Sequence, residues 1–245
     1  MKTILLPIDF SHPSLHAAAL GVKLASALDA KAVLFHAIML PVIDAQGAAV
    51  VIPYEEFEQN ALAELNGLKA TLLNQGATCP IEVCVKLGFA VEEIQSISSN
   101  LGASLIVMSI SGSSGLDRIL GGTTSVVMEK SPIPVLVVPK DAPMQVPMHF
   151  LVTDDEKPLH NLDCFSFFQA MLTQLKAEAE NITITDTTDT QEIVERLTNY
   201  IATKGAESIV FVKRKHNFIS SLLHDSTTRL MAFNTHVPLL VLHDY

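Results

Sequence analysis

Tryptophan is absent from the 245 residues, cysteine occurs three times, and charged side chains make up only 17%. Glycine and proline, at 11 and 12, are ordinary in number, so collagenous, mucin-like and disordered classes are excluded by composition. Three cysteines are an odd count in a chain large enough to fold without staples. The spacing Cys79-x4-Cys84 matches no common zinc or redox pattern, and reduced thiols are expected. Positive charge is scarce: 16 Lys+Arg stand against 26 Asp+Glu, a net charge of -10, which argues against a general polyanion-binding surface and against nucleic acid as a partner. The one basic run, Lys213-Arg214-Lys215-His216, reads as a solvated loop after a strand. Long apolar runs are also missing. Ala17 to Val22 and Val135 to Val138 fall far short of the roughly 18 residues that cross a bilayer, so a soluble chain is expected. The apolar start, Met1 to Pro7, is too short for a signal peptide and Asp9 interrupts it, which predicts the first strand of a cytoplasmic protein. Finally, no Gly-x4-Gly-Lys-[Ser/Thr] loop, Gly-x-Ser-x-Gly elbow or Ser-Gly-Gly-x-Asp-Ser loop occurs, so standard NTPase, hydrolase and adenylating mechanisms lack their parts.

What is present is apolar material, 49% of the chain, in a regular alternation of short runs and helical periods. Residues 3 to 9 form a strand-like run, and Ser11 with Pro13 fits a helix cap and a first-turn proline. Leu15, Ala18, Ala19, Val22, Ala25 and Leu28 recur at helical spacing before a buried strand at 31 to 38. A loop at 47 to 53, a helix at 55 to 74 stopped by Gly76, a strand at 81 to 85, a helix at 90 to 101 and a strand at 104 to 108 follow. After a glycine-rich loop come a helix at 122 to 130 and a strand, Pro134 to Pro139. Five strands alternating with four helices predict an α/β fold with a doubly wound parallel sheet.

A polar, proline-marked link at 141 to 147 separates two units, 1–140 and 147–245, and the pattern then restarts in weaker form as an internal repeat. Strands are predicted at 149 to 153, 182 to 185 and 208 to 212, with helices at 165 to 180 and 191 to 204. The endings Ser131-Pro132-Ile133-Pro134-Val135-Leu136-Val137-Val138 and Thr235-His236-Val237-Pro238-Leu239-Leu240-Val241-Leu242 superimpose. With about 100 residues, the second unit is expected to lack one strand-helix pair at its start, and its glycine-rich loop is gone. The apolar terminal strands, 135 to 138 and 239 to 242, are predicted to pair with each other as an intramolecular pseudo-dimer, with further homodimerisation open.

In such a sheet a ligand sits beyond the carboxyl ends of the strands, where strand order reverses. Pro7-Ile8-Asp9, His36-Ala37-Ile38, and Met108 with the loop Ser109-Ile110-Ser111-Gly112-Ser113-Ser114-Gly115 all end there, and the loop runs on to Gly121-Gly122-Thr123-Thr124-Ser125 at a helix start. Glycines let backbone approach a ligand and a helix N-terminus attracts anions, so this segment suits phosphates, with Thr123, Thr124 and Ser125 adding hydroxyls. Asp9 can accept from an amine or a ribose hydroxyl; its bland alternative is a turn former or helix cap. Met108 is core on either reading. His12 and His16 have metal-capable spacing but no adjacent third ligand, and Glu129 and Lys130 belong to no evident catalytic constellation.

The Pro-x-Asp end of strand 1, the Met-ended fourth strand, the loop Ser109-x2-Gly112-x9-Gly122-Thr123 and the Pro-Val-Leu-Val-Val terminal strand together resemble the universal stress protein (UspA) family in its tandem two-domain form. The resemblance covers nearly the whole chain and implies two tandem doubly wound domains of the adenine nucleotide alpha hydrolase-like type, the second degenerate and shortened. It implies that Asp9 faces adenine or ribose, that residues near Ala37 and Met108 line the base, and that the loop with Gly112, Gly122, Thr123 and Thr124 holds phosphates. Gly121 offers a second register one residue shorter. Ser109 replaces the first glycine of the family loop, at about 1 kcal/mol if that position needs positive φ. The expected function is a stress-response regulator that binds ATP or a related adenine nucleotide in its first unit, with Mg2+ brought by the phosphates, and hydrolyses it slowly if at all. The alternative is a ligand-free scaffold of the same fold.

Overall fold

The computed structural model describes residues 2–39, 54–110, 122–154, 163–183, 189–214, 231–232 and 235–244, with backbone alone at 154, 163, 164, 213, 214 and 244. The sequence expectations for the loop at 47–53, for the glycine-rich loop from 111 to 121 and for the basic run beyond Arg214 lie outside the described residues. In chain order the elements are β1 (Thr3–Pro7), α1 (His12–Ala27), β2 (Lys31–Ile38), α2 (Tyr54–Asn74), β3 (Ile81–Leu87), α3 (Ala90–Asn100), β4 (Leu105–Ile110), α4 (Thr123–Lys130) and β5 (Val135–Pro139). The second half adds β6 (His149–Asp154), α5 (Asp163–Leu175), β7 (Glu178–Thr183), α6 (Thr190–Lys204), β8 (Ser208–Arg214) and β9 (Leu239–Asp244).

All nine strands join one sheet in the order β3-β2-β1-β4-β5-β9-β8-β6-β7. Neighbours run parallel except at β5 and β9, which pair antiparallel with Val135 opposite Val241, Leu136 opposite Leu240 and Val137 opposite Leu239. A central parallel strand is covered on both faces, and β1 shows it: Ile4, Leu5 and Leu6 are all buried, with alternate residues feeding opposite layers. One layer lies under α1, α2 and α5 and the other under α3, α4 and α6, and each contains side chains from both halves of the chain. The four largest buried rings, Phe35, Phe150, Phe168 and Phe211, each contribute about 1.5–3 kcal/mol by leaving water.

Helix α1 begins as its sequence dictates. Ser11 is the N-cap, its hydroxyl accepting from the Ser14 N–H at 3.3 Å, and Pro13 sits in the first turn, where its missing N–H removes no bond. A Cβ at Gly21 would run into the Leu6 side chain, so glycine lets α1 settle directly on β1. From its far side α1 holds the link between the halves: His16 Nε2 donates to the Ala142 carbonyl at 2.9 Å and Lys23 donates to Met144 at 2.8 Å.

Two sequence expectations are corrected in the second half. The predicted helix to residue 180 ends at Leu175, Lys176 turns with φ +56, and Glu178 to Thr183 form β7. Lys-Ala-Glu-Ala-Glu is a helix-forming composition, but pairing with β6 along the sheet margin overrides that weak preference, and the glutamates suit an outer strand. The missing strand-helix pair is not at the start of this half. Strand β6 lies between β7 and β8 as β1 lies between β2 and β4, with Phe150 opposite Ser208 matching Ile4 opposite Leu105. What the described residues lack is a counterpart of α2 and β3. Loss of an outermost strand with its covering helix leaves every other pairing intact, whereas loss of the first strand would remove the centre of the ladder.

Candidate functional site

The connections from β1 run to β2 on one side and, later in the chain, arrive at β4 on the other, so strand order reverses between β1 and β4. Beyond the carboxyl ends of these strands lies a cavity of about 380 Å³, inside the range of roughly 300–1,000 Å³ usual for small-molecule sites. Pro7, Asp9, Ala37, Met108, Ser109, Gly122, Thr123 and Thr124 all line it; Gly112 lies outside the described residues. Ala37, Ala90, Ile94 and Met108 give it an apolar wall, while Asp9 is the single carboxylate and no lysine or arginine is among the described lining residues.

Asp9 follows β1 directly and serves two neighbours. Its Oδ1 accepts from the Ser11 hydroxyl at 2.6 Å and the Ser11 N–H at 3.0 Å, which ties the strand end to the start of α1. The turn-former reading and the cavity-lining reading therefore hold together. Partial burial pushes its carboxyl upward, but hydrogen bonds from Ser11 and Ser14 to the ionised form outweigh that, and the net shift is downward. A lowered carboxylate contributes stability above the unfolded-state pKa, and that contribution is lost as pH falls through the folded-state value. In a carbon-13 NMR titration Asp9 should titrate below 3.8 and move upward in Ser11→Ala; a midpoint above 3.8 in the parent protein contradicts the hydrogen-bonded geometry.

Next to Asp9, Phe10 has φ +62, an uncommon conformation for a bulky residue. Its ring lies 4.7 Å from that of His36, tilted by 41°, and His36 Nδ1 donates to the Ile8 carbonyl at 2.7 Å. Since a carbonyl only accepts, Nδ1 carries the proton, and a neutral His36 keeps Nε2 as an acceptor. His36, which the sequence brings to the crevice beside Ala37, lines the cavity, and so does Ser14, which the sequence reading does not single out. The signal for Ser14 is its place three residues after the Ser11 cap.

The opposite end of the cavity is the start of α4. Gly122 is its N-cap, with φ -62 and ψ 148 and no side chain to bond the first-turn amides. The N–H groups of Thr123, Thr124 and Ser125 therefore have no intrahelical acceptor, and no acidic residue occupies the first turn. The Thr124 hydroxyl donates to the Ser109 carbonyl at 2.7 Å, which fastens this helix end to β4. Such an amide cluster with the positive end of the helix dipole attracts an anion in the absence of basic side chains.

Ser109 itself departs from the sequence expectation. Strand β4 runs two residues beyond Met108, and Ser109 pairs with Val138 inside it, buried at 8% exposure. Positive φ among the described non-glycine residues occurs at Phe10, Asp29 and Lys176, not at Ser109. The expected backbone strain is therefore absent, because the ladder with β5 holds the residue extended.

The sequence profile of the Universal stress protein family matches residues 1–139, more than half of the chain. The chain belongs to the universal stress protein family. Over 99% of its length the fold resembles that of a universal stress protein from Archaeoglobus fulgidus DSM 4304, covering 96% of that protein at 19% identity with a TM-score of 0.69. A functionally unknown protein from Pseudomonas aeruginosa PAO1 is similar over the full chain and 93% of its own length, at 15% identity and a TM-score of 0.64. Both likenesses concern the fold. A universal stress protein in complex with cAMP is similar over 56% of this chain and 96% of its own, at 24% identity and a TM-score of 0.46. No curated protein sequence matches the chain.

Proposed function

We propose that this family member binds ATP or a related adenine nucleotide in its first half and acts through that binding as a stress-response regulator. The observation that carries the reading is one cavity with two chemically different ends: the first-turn α4 amides of Thr123 to Ser125, which have no intrahelical acceptor, and Asp9 with His36 near the ends of β1 and β2. Phosphates suit the first end, a ribose or amine donor suits the second, and the apolar wall of Ala37, Ile94 and Met108 suits a flat base. The proposed binding residues are Pro7, Asp9, Ala37, Met108, Ser109, Gly112, Gly122, Thr123 and Thr124. Among the described residues no three ligating side chains gather, and Asp9 is the one carboxylate at the cavity. A magnesium ion would accordingly be held mainly by the phosphates that bring it.

Regulation by such a ligand requires only that two states of the protein differ in affinity for it, so hydrolysis is slow or absent in this reading. The proposal extends to the architecture: units 1–140 and 147–245 form an intramolecular pseudo-dimer through β5 and β9, in a cytoplasmic protein that is able to associate further. Thermal melting with ATP and Mg2+ tests the binding. At 100 times Kd a ligand adds about 2.7 kcal/mol, which should raise the midpoint by roughly 5–10 °C in a chain of this size. No shift at millimolar ATP favours the ligand-free scaffold.

A further inference from the structure

One buried histidine plays no part in the cavity yet touches the helix that forms one end of it. His243, on β9, is 5% exposed, and its Nε2 lies 2.8 Å from the Met128 carbonyl of α4. A carbonyl accepts only, so Nε2 carries the proton and donates. Met128 is among the last four residues of α4, whose carbonyls have no partner within the helix. The Val127 carbonyl is taken locally by the Ser131 N–H, whereas that of Met128 is taken by a strand 115 residues further along.

We infer that His243 is a positioning residue through which the second half of the chain holds α4 and so sets its grip on an anion. The helix has eight residues, and Met128 lies only about 7.5 Å along the axis from Thr123. Thr124 fastens it to Ser109 at the cavity end, and Met128 to His243 at the other. Val127 and Met128 are buried in the same layer as Leu239 and Val241, so the second half contributes to the core that α4 covers as well as the donor at its end. With so short a lever, a tilt at Met128 moves the first-turn amides that face the cavity. The consequence for ligand affinity rests on the nucleotide reading above; the consequence for α4 itself does not.

The experiment uses the full chain in three forms: the parent, His243→Leu, which removes the donor, and His243→Gln, whose amide nitrogen reaches the same carbonyl. Hydrogen exchange over residues 122–130 is followed without ligand, and ATP-Mg2+ affinity is measured separately. In His243→Leu the α4 amides should exchange about tenfold faster while those of β1 and β2 keep their rates, and the ATP Kd should rise about fivefold, which is within the usual range of coupling between sites. His243→Gln should stay within about twofold of the parent on both readouts. If His243→Leu does not fold, His243→Asn, polar but too short for Met128, takes its place. Equal α4 exchange in all forms overturns the inference. If the parent binds no ATP while the exchange contrast appears, the nucleotide reading falls and the positioning role stands.

Discussion

Leu240→Asp should melt at least 8–16 °C below the parent protein, or fail to accumulate in soluble form. Leu240 is 1% exposed, faces Leu136 across the antiparallel β5–β9 pairing and has Val210 beside it on β8. Losing its apolar burial costs about 1.5–3 kcal/mol. An unpaired carboxylate in the same place adds several more, partly relieved by protonation. A combined loss of about 4 kcal/mol or more is a large share of the roughly 5–15 kcal/mol that holds a protein folded, and at about 2–4 °C per kcal/mol it gives the stated shift. A circular dichroism melt within 2 °C of the parent would show that the two halves do not depend on this junction.

Gly122→Asp should separate folding from binding. With φ -62 and ψ 148 any residue fits there, and an added Cβ meets nothing within 4 Å. Aspartate is a preferred N-cap, so the melting point should hold or rise by about 1 °C, a few tenths of a kcal/mol. Its carboxylate, however, occupies the amides offered to an anion and repels one. Two unit charges about 4 Å apart repel by roughly 4 kcal/mol at an effective dielectric of about 20. Exposure and salt reduce that to about 1.4–2.8 kcal/mol, or a ten- to hundredfold weaker ATP Kd by calorimetry. Gly122→Ala, which adds no charge, should remain within about threefold. Equal affinity in Gly122→Asp would place the phosphates elsewhere.

Much of the architecture was legible because burial on both faces leaves a plain trace. Runs such as Leu105 to Met108 and Val135 to Val138 have no polar alternation, and near the start of the chain the 3.6-residue spacing of α1 and the Ser11 cap are unambiguous. Lys176 to Glu180 misled for the opposite reason: an outer strand paired on one side needs little apolar content, so local propensity pointed to helix. Pro7, Asp9, Ala37, Met108 and the start of α4 line one cavity because strand ends in a doubly wound sheet converge by topology, which the order of elements in the sequence already implies. The same topology brings His36 to the crevice, but its role appears only once its ring is seen bonded to Ile8 and against Phe10. The His243 bond to Met128 has no local trace at all, since its partners are 115 residues apart.

Strand β5 has β4 on one side and β9 on the other, so the edge that β5 would present without the second half is already occupied from within. Among the described strands β3 and β7 are the outermost, at opposite extremes of the sheet. A second molecule that joined as a further strand there would not reproduce the two-sided junction of β5 with β4 and β9.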